Sequence, residues 1–335
     1  MTKDMKAKPH VLVSHTSVVL PSKAASAPED LVPPIITREG ENATRCFLEF
    51  FNANIENRNT RLAYARAVGQ FLSWCEACGI TLHEIEPMMV AAYREQHPGS
   101  AQTINQHLAA IRKLFDWLVT RHVLPMNPAA SVKGSNYSFK KGKTPVLSTE
   151  DARRLLNSID TSHVVGLRDR ALIGLMVYSF ARVSAVVGMQ VSDYYQNEQR
   201  WWVRLHEKGE KFHSVPVHHT AQEYLDTYID AAGIAEDKTG PLFRTTIGRS
   251  KRLTKNQVHR TEALLMVKRR AKEAGFSSDI CCHTFRATGI TAYLQNGGTL
   301  ENAQMIAAHE SPRTTKLYDR TSDAISLDQI ERIRI

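Results

Sequence analysis

Five residues of the types needed to cleave a phosphodiester stand out: His283, Arg286, His309 and Tyr318 near the C-terminal end, and Arg182 much earlier. Cleavage needs a nucleophile, positive charge for the non-bridging oxygens and a proton for the leaving oxygen. Arginine suits the second task, because its planar guanidinium binds two phosphate oxygens and keeps its charge. Attack by a tyrosine would give a covalent phosphotyrosine, from which the strand can be rejoined without ATP.

Each of these residues also has an ordinary interpretation when it is taken alone. A single tyrosine usually packs in a core, and a single arginine usually forms a surface ion pair. Arg182 follows an apolar run and lies between Ala181 and Val183, which argues against a purely solvated role. The pattern as a whole therefore decides the interpretation.

The composition favours a polyanionic partner. The 335 residues are enough for about two domains. They include 43 Lys and Arg against 34 Asp and Glu, which gives a net charge of +9, and the isoelectric point is about 9.3. This balance suits nucleic acid, although a merely basic protein would share it.

The cysteines and the hydropathy argue against secretion and against a membrane protein. Five cysteines without regular spacing do not suggest a disulfide scaffold and fit a reducing compartment. Cys75 and Cys78 form a Cys-x-x-Cys pair in a helical pattern, where packing is favoured over zinc or redox use. No apolar run of membrane-spanning length occurs. We expect a cytoplasmic, nucleoid-associated prokaryotic protein.

The first part of the chain divides into three segments. Residues 1–36 are rich in Lys, Ser, Ala and Pro and are predicted to be a disordered arm. Residues 37–130 have helical periodicity, with Thr60 as a predicted helix cap, and indicate a small all-α domain. Residues 131–146 are polar and basic and are predicted to be a flexible linker.

A second domain is predicted over residues 147–320. Ser148 is expected to cap its first helix, and a long apolar helix should follow. Two β-like runs, residues 201–205 and 213–217, indicate an antiparallel hairpin. Everything after Thr220 is predicted to be helices and loops.

Basic residues concentrate between positions 244 and 272, where ten Lys and Arg are opposed only by Glu262. A solvated charged helix would have such a composition, but a surface that follows DNA phosphates explains it better. The candidate DNA contacts from the linker and from this stretch are Lys140, Lys141, Lys143, Arg249, Lys251, Arg252, Lys255 and Arg260.

The sequence resembles the tyrosine recombinases of the phage integrase family, and in particular its Xer-like members. Ser179–Ser184 is similar to the family's first arginine box, and His283–Arg286 to its His-x-x-Arg box. Ala308–Ser311 is similar to the next box, and Lys316–Tyr318 ends at the nucleophile position. The boxes occur in the family's order with matching gaps, and the resemblance covers about residues 40–320.

This resemblance implies how the phosphate would be bound. Arg182 and Arg286 would hold the scissile phosphate, and His309 would donate to a non-bridging oxygen. No metal and no cofactor is implied, because the arginines would do the electrostatic work of a metal ion.

The resemblance also implies the covalent steps. Tyr318 would be the nucleophile, and His283 would be its general base. Lys208, in the turn between the two β runs, would protonate the leaving 5′ oxygen, and Lys211 is its rival. The product would be a 3′-phosphotyrosine and a free 5′ hydroxyl that attacks the partner duplex.

The implied fold is mainly α with two domains: a helical, SAM-like core-binding domain and a mixed α/β catalytic domain with a small antiparallel sheet. The implied partners are double-stranded DNA with a specific recombination site and three further copies of the chain, in a homotetramer on two duplexes. Accessory DNA-bending or directionality proteins are further candidates. The tail, residues 321–335, would pack on its own domain or dock on a neighbouring protomer.

Two alternatives share the scaffold: a type IB topoisomerase-like relaxase, and a DNA-binding protein that no longer cuts. The complete set of six catalytic candidates argues against the second. Ala185, Ala287 and Ala308 depart from common family residues and leave the subfamily open. The predicted arm favours a mobile-element integrase over a resolvase of chromosome dimers.

Overall fold

The computed structural model describes residues 32–136, 142–207, 211–248 and 250–319. The chain forms two compact units that divide between residues 138 and 139. Each unit has its own hydrophobic core, and the larger core belongs to the second unit.

The first unit is helical throughout its described part. Its two longest helices pack against each other through apolar faces that include Phe71 and Phe115. The helices are α1 (Pro34–Thr37), α2 (Glu41–Ala53), α3 (Arg58–Ala77), α4 (Pro87–Gln96) and α5 (Ala101–Thr120).

Two boundary predictions for this unit were wrong. Helix α3 begins at Arg58 and not near Thr60, because the Asn57 side chain accepts hydrogen bonds from the backbone N–H groups of Asn59 and Thr60, at 3.0 and 3.2 Å. An asparagine in this position satisfies amides that the first helical turn leaves without partners.

The end of the predicted arm belongs to the helical core. Helix α1 begins at Pro34, where the fixed φ of proline suits a first helical residue. Ile35 and Ile36 are buried in the core of the first unit. Residues 1–31 lie outside the described part of the chain.

The first residues of the predicted linker are attached to α5 and are not a free strap. The backbone N–H of Ser135 donates to Asn105 Oδ1 at 2.8 Å, and Asn105 Nδ2 donates to the carbonyl of Ser135 at 2.9 Å. Val132 is buried against the same core. The sequence pattern missed this, because polarity alone does not reveal a pairing across thirty residues.

The second unit combines helices with two small antiparallel sheets. Its helices are α6 (Thr149–Asn157), α7 (Val164–Tyr178), α8 (Val183–Val187), α9 (His219–Ala232), α10 (Arg260–Glu273), α11 (Cys282–Gln295), α12 (Leu300–Ile306) and α13 (Pro312–Lys316). Its strands are β1 (Tyr194–Asn197), β2 (Arg200–Glu207), β3 (Lys211–Pro216), β4 (Arg244–Thr246) and β5 (Leu253–Gln257).

The predicted cap and hairpin of this unit are confirmed. Ser148 Oγ accepts a hydrogen bond from the backbone N–H of Asp151 at 3.0 Å, at the start of α6. Strands β2 and β3 pair antiparallel. Strand β1 pairs antiparallel with the other edge of β2, so that β2 is the central strand. Strand β1 was not predicted.

The expectation of only helices and loops after Thr220 was wrong, because β4 and β5 pair as a second sheet. These strands are short and mostly polar, so they have no clear alternation of apolar residues. Their pairing includes a cross-strand contact of 2.6 Å between the hydroxyls of Thr245 and Thr254.

Part of the basic stretch is buried and therefore does not form a DNA surface. Asp169 on α7 is fully buried and accepts from Arg168 Nη2 at 2.6 Å and from Arg270 Nη2 at 2.8 Å. Arg244 is also buried and pairs with Asp237. Counting charges along the stretch missed these partners, since Asp169 and Arg270 are 101 residues apart.

We expect Asp169→Ala to lower the free energy of unfolding by about 3–5 kcal/mol, because it leaves buried guanidinium groups without their partner. Urea unfolding followed by circular dichroism would measure the change. Glu236→Ala removes an exposed carboxylate from the same unit and serves as the control. An equal, small effect in both variants would contradict this assignment.

Candidate active site

The turn between α7 and α8 places Arg182. Helix α7 ends at Tyr178, two residues earlier than an apolar run to Phe180 suggests. Phe180 then has a left-handed backbone conformation with φ +53°. Helix α8 begins three residues later, and Arg182 is its N-cap residue.

Helix α11 places two of the candidates on one face. His283 and Arg286 are three residues apart near its N-terminal end, a spacing that brings side chains together on a helix. Thr291, further along α11, donates from Oγ1 to the carbonyl of Tyr318 at 2.9 Å. The helix therefore contacts the segment that carries the candidate nucleophile.

Tyr318 lies beside both candidate histidines, His283 and His309. Its hydroxyl is 2.6 Å from His283 Nε2. Its ring stacks on His309, with centroids 5.7 Å apart and an interplanar angle of 4°. Phe180, Ile290 and the neighbouring alanines form the apolar cluster around it. The structure thus brings together candidates that are far apart in sequence.

Arg286 is almost fully buried, at 1% exposure. Its Nη1 donates to the carbonyl of Phe180, and its Nη2 donates to the carbonyl of Ala307 at 2.6 Å. Its Nε has no hydrogen-bond partner among the described residues. Burial and the nearby Arg182 lower the pKa of Arg286 to about 10, so it stays charged at neutral pH.

Arg182 forms an ion pair that the sequence interpretation missed. Its Nη1 donates to Oε2 of Glu207, the last residue of β2. A signal was present, because Glu207 shares a strand face with the buried Val203 and Leu205. Since side chains alternate between the two faces of a strand, the sequence could have predicted that this carboxylate faces the interior.

His309 is held in a neutral form. Its Nδ1 lies 2.8 Å from the hydroxyl of the buried Thr315. Burial, with Arg286 and Arg182 nearby, lowers the pKa of His309 to about 3. A neutral His309 that donates from Nε2 must accept at Nδ1, and the Thr315 hydroxyl can supply that hydrogen bond. Thr315 was not among the predicted site residues.

His283 and Tyr318 are both suited to exchange a proton. Burial, Arg286 and Arg182 lower the pKa of His283, so its Nε2 can accept a hydrogen bond from the phenol at neutral pH. Burial raises the pKa of Tyr318, while the two arginines oppose that shift. The phenol is therefore protonated at rest and has a base within reach.

The remaining candidates, Lys208 and the predicted DNA contacts, are either exposed on the surface or lie outside the described residues. Those that the structure describes are all exposed: Lys143, Lys251, Arg252, Lys255 and Arg260. Those that lie outside the described residues are Lys140, Lys141, Lys208 and Arg249. The role of Lys208 as acid and the DNA contacts of these residues stay predictions.

One departure from the family pattern has a structural consequence. Ala308, which stands where the family commonly has glycine, has φ +47°. This left-handed conformation costs a residue with a Cβ about 1–2 kcal/mol. It lies between the carbonyl of Ala307 that binds Arg286 and the candidate His309.

We expect Ala308→Gly to raise the free energy of unfolding by about 0.5–1 kcal/mol, since the relieved strain exceeds the entropy that glycine adds to the unfolded chain. Urea unfolding would measure it. Ala292→Gly, inside α11, is the matched control and should destabilise by about 1 kcal/mol. Destabilisation by both variants would contradict the strain at Ala308.

Comparisons with known proteins identify the family. Residues 145–324 match the profile of the Phage integrase family, and residues 47–122 match its N-terminal SAM-like domain. Tyrosine recombinase XerD of Listeria monocytogenes is 27% identical over 271 residues, which are 78% of this chain and 87% of that protein. Tyrosine recombinase XerC of Chlamydia muridarum is 30% identical over 226 residues, 67% of this chain and 68% of that protein.

Solved structures share the fold. A XerH recombinase bound to its palindromic difH substrate aligns with a TM-score of 0.66 at 17% identity, over 91% of this chain and 90% of that one. A lambda integrase dimer bound to a COC′ core site aligns with a TM-score of 0.63 at 16% identity, over 84% of this chain and 79% of that one. The chain therefore belongs to the phage integrase family of tyrosine recombinases, enzymes that cleave and rejoin DNA.

The predicted family, fold class and site-specific recombinase function are confirmed. The comparisons give no support to the topoisomerase-like alternative or to a non-cutting protein. Among the described residues, no helix has the length and apolar character needed to span a membrane.

Proposed function

We propose that Tyr318 attacks the scissile phosphate of a specific recombination site and forms a 3′-phosphotyrosine. The observation that carries this proposal is the 2.6 Å contact between the Tyr318 hydroxyl and His283 Nε2, beside Arg286 and His309. A nucleophile needs a base within hydrogen-bond reach, and this tyrosine has one.

The proposed first step transfers one strand end to the protein. The Tyr318 oxygen forms a bond to phosphorus as its proton passes to His283, and the bond from phosphorus to the 5′ oxygen breaks. Arg286 and Arg182 stabilise the charge that develops on the non-bridging oxygens. The leaving oxygen takes a proton from the predicted acid, Lys208. Attack by the 5′ hydroxyl of a partner duplex reverses these steps and restores Tyr318.

The proposed assembly is a homotetramer on two duplexes. One structural relative is a lambda integrase tetramer bound to a Holliday junction, and the XerH relative is bound to a difH substrate. We propose that the first helical unit, which comprises the predicted residues 37–130 together with residues 34–36 and 131–135 that pack with it, binds core DNA. The rest of the predicted linker joins it to the catalytic domain, residues 147–320. The tail, residues 321–335, docks on a neighbouring protomer or packs on its own domain.

We further propose accessory DNA-bending or directionality proteins, a location in the prokaryotic cytoplasm, and an outcome of integration or excision. The covalent step can be tested without them. Nicked suicide duplexes made from DNA that flanks the gene would trap the adduct, and mass spectrometry of the DNA-linked peptide would locate the tyrosine. An adduct at another residue would contradict the proposed nucleophile.

The exposed basic residues on β5 and in the connection before it should contribute to DNA affinity through phosphate contacts. We expect the triple change Lys251→Ala, Arg252→Ala and Lys255→Ala to flatten the slope of log affinity against log salt by about 2–3, because each phosphate contact contributes about 0.9. Titration of a labelled duplex over a range of salt would measure the slope. Lys238→Ala, an exposed lysine outside the predicted DNA contacts, is the control, and an unchanged slope in the triple variant would contradict the proposed surface.

A further inference from the structure

The two arginines of the site are held in different ways. Arg286 is bound by two neutral groups, the carbonyls of Phe180 and Ala307. Arg182 is bound by a charged group, the carboxylate of Glu207. The second contact joins a strand of the sheet to the turn before α8, and it takes no part in the bond-making and bond-breaking steps.

We propose that Glu207 is a positioning residue for the cleavage reaction, which holds the guanidinium of Arg182 so that its remaining N–H groups face the scissile phosphate. This inference rests on the function proposed above. It assigns to Glu207 an action through Arg182 and no contact with the DNA.

The two ends of the ion pair differ in exposure. The Glu207 side chain is only 7% exposed, whereas that of Arg182 is 38% exposed. The carboxylate thus lies on the inner side of the pair, and the guanidinium lies towards the open side. A ligand that enters the site meets Arg182 first.

Burial makes the pair hard to separate. A buried carboxylate that loses its cationic partner is left with an uncompensated desolvation cost. A phosphate that pulled Arg182 away from Glu207 would cause that cost. Binding of the phosphate by Arg182 in place, with Glu207 still attached, avoids it.

The guanidinium has enough donors to bind both anions. It carries five N–H groups in a fixed plane, and the contact with Glu207 uses Nη1. The Nε and Nη2 groups of Arg182 make no hydrogen bond among the described residues. They form the edge that suits two phosphate oxygens.

Glu207 also reduces the repulsion between the two cations. Arg182 lowers the pKa of Arg286, and Glu207 acts in the opposite direction. A single buried carboxylate can therefore keep two arginines close together before DNA arrives. Preorganised cations of this kind stabilise the charge that develops in a transition state most effectively.

Two substitutions of Glu207 distinguish a residue that positions Arg182 from one that competes with the phosphate for it. Glu207→Ala removes both the charge and the hydrogen-bond acceptor, and Glu207→Gln keeps an acceptor of the same shape. We expect Glu207→Ala to slow single-turnover adduct formation by about tenfold or more, as the loss of a hydrogen bond to a charged group implies. Glu207→Gln should lie between it and the wild type, and DNA affinity should change much less than the rate.

The alternative is that Glu207 competes with the phosphate for Arg182. Both variants would then form the adduct faster than the wild type, and that result would overturn the proposal. Unchanged rates would overturn it as well. Glu198→Gln removes an exposed carboxylate from the turn of the same sheet and controls for net charge.

A double-mutant cycle adds a readout that a merely structural role would not give. On an Arg182→Ala background, Glu207→Gln should cause no further loss of rate, because its effect passes through Arg182. If Glu207→Ala fails to fold, Glu207→Gln carries the test alone. A wild-type chain that forms no adduct would count against the proposed function itself, whereas a normal wild-type adduct with unaltered variants would count only against the role of Glu207.

Discussion

We expect Tyr318→Phe to abolish the covalent protein–DNA adduct while DNA binding persists. The change removes only the hydroxyl that lies 2.6 Å from His283 Nε2, so no oxygen remains to attack phosphorus. Loss of a catalytic nucleophile reduces rates by about 10⁴-fold or more. A denaturing gel with suicide duplexes measures the adduct, and a mobility-shift titration measures binding.

A second tyrosine provides the matched control. Tyr293 lies on α11, and its ring contacts Phe180 in the cluster that also surrounds Tyr318. Tyr293→Phe should form the adduct at nearly the wild-type rate. A normal yield from Tyr318→Phe would move the nucleophile elsewhere, and equal losses in both variants would indicate damage to packing.

Replacing Arg286 should have the second largest effect. We expect Arg286→Lys to slow adduct formation by about 10²–10³-fold, the loss typical of one removed electrostatic donor. Lysine keeps the charge but loses the planar fork that binds two oxygens at once. Single-turnover kinetics at saturating DNA would measure the chemical step without a contribution from affinity.

Lysine is preferable to alanine at this position for a structural reason. Arg286 is buried and satisfies the carbonyls of Phe180 and Ala307, so alanine would leave both buried acceptors without partners. Unfolding measurements on Arg286→Lys would separate lost catalysis from lost stability. Arg154→Ala, on the exposed face of α6, is the control, and a near-normal rate for Arg286→Lys would reject its proposed role.

A test of Arg182 needs a double variant as well as a single one. Arg182→Ala alone leaves the buried carboxylate of Glu207 without its cationic partner. The double variant Arg182→Ala with Glu207→Gln removes that charge together with its partner. If the double variant recovers stability but not cleavage, the loss of rate belongs to the missing guanidinium.

The catalytic candidates could be recognised from the sequence because chemistry restricts residue type and local geometry restricts spacing. His283 and Arg286 are one helical turn apart, and this spacing is visible without a structure. The cap at Ser148 and the β2–β3 hairpin also depend on neighbours in the chain. Local interactions of this kind leave a signature in the sequence.

Long-range partners left much weaker signals. Charge counting did not reveal that Arg270 is buried against Asp169, and polarity did not reveal that Ser135 is attached to Asn105. The short strands β4 and β5 lack an apolar alternation, so only their pairing defines them. In each case the deciding contact lies outside any local window.

The sequence by itself thus determined the two-part organisation, the family and the residues able to do the chemistry, because these depend on residue type, order and spacing. The tertiary structure decided how the site is held. It attached Arg286 to a carbonyl 106 residues away, Arg182 to Glu207, and His309 to Thr315. These anchors are backbone carbonyls and single polar side chains, which many positions could supply. Only packing determines which of them reach the site.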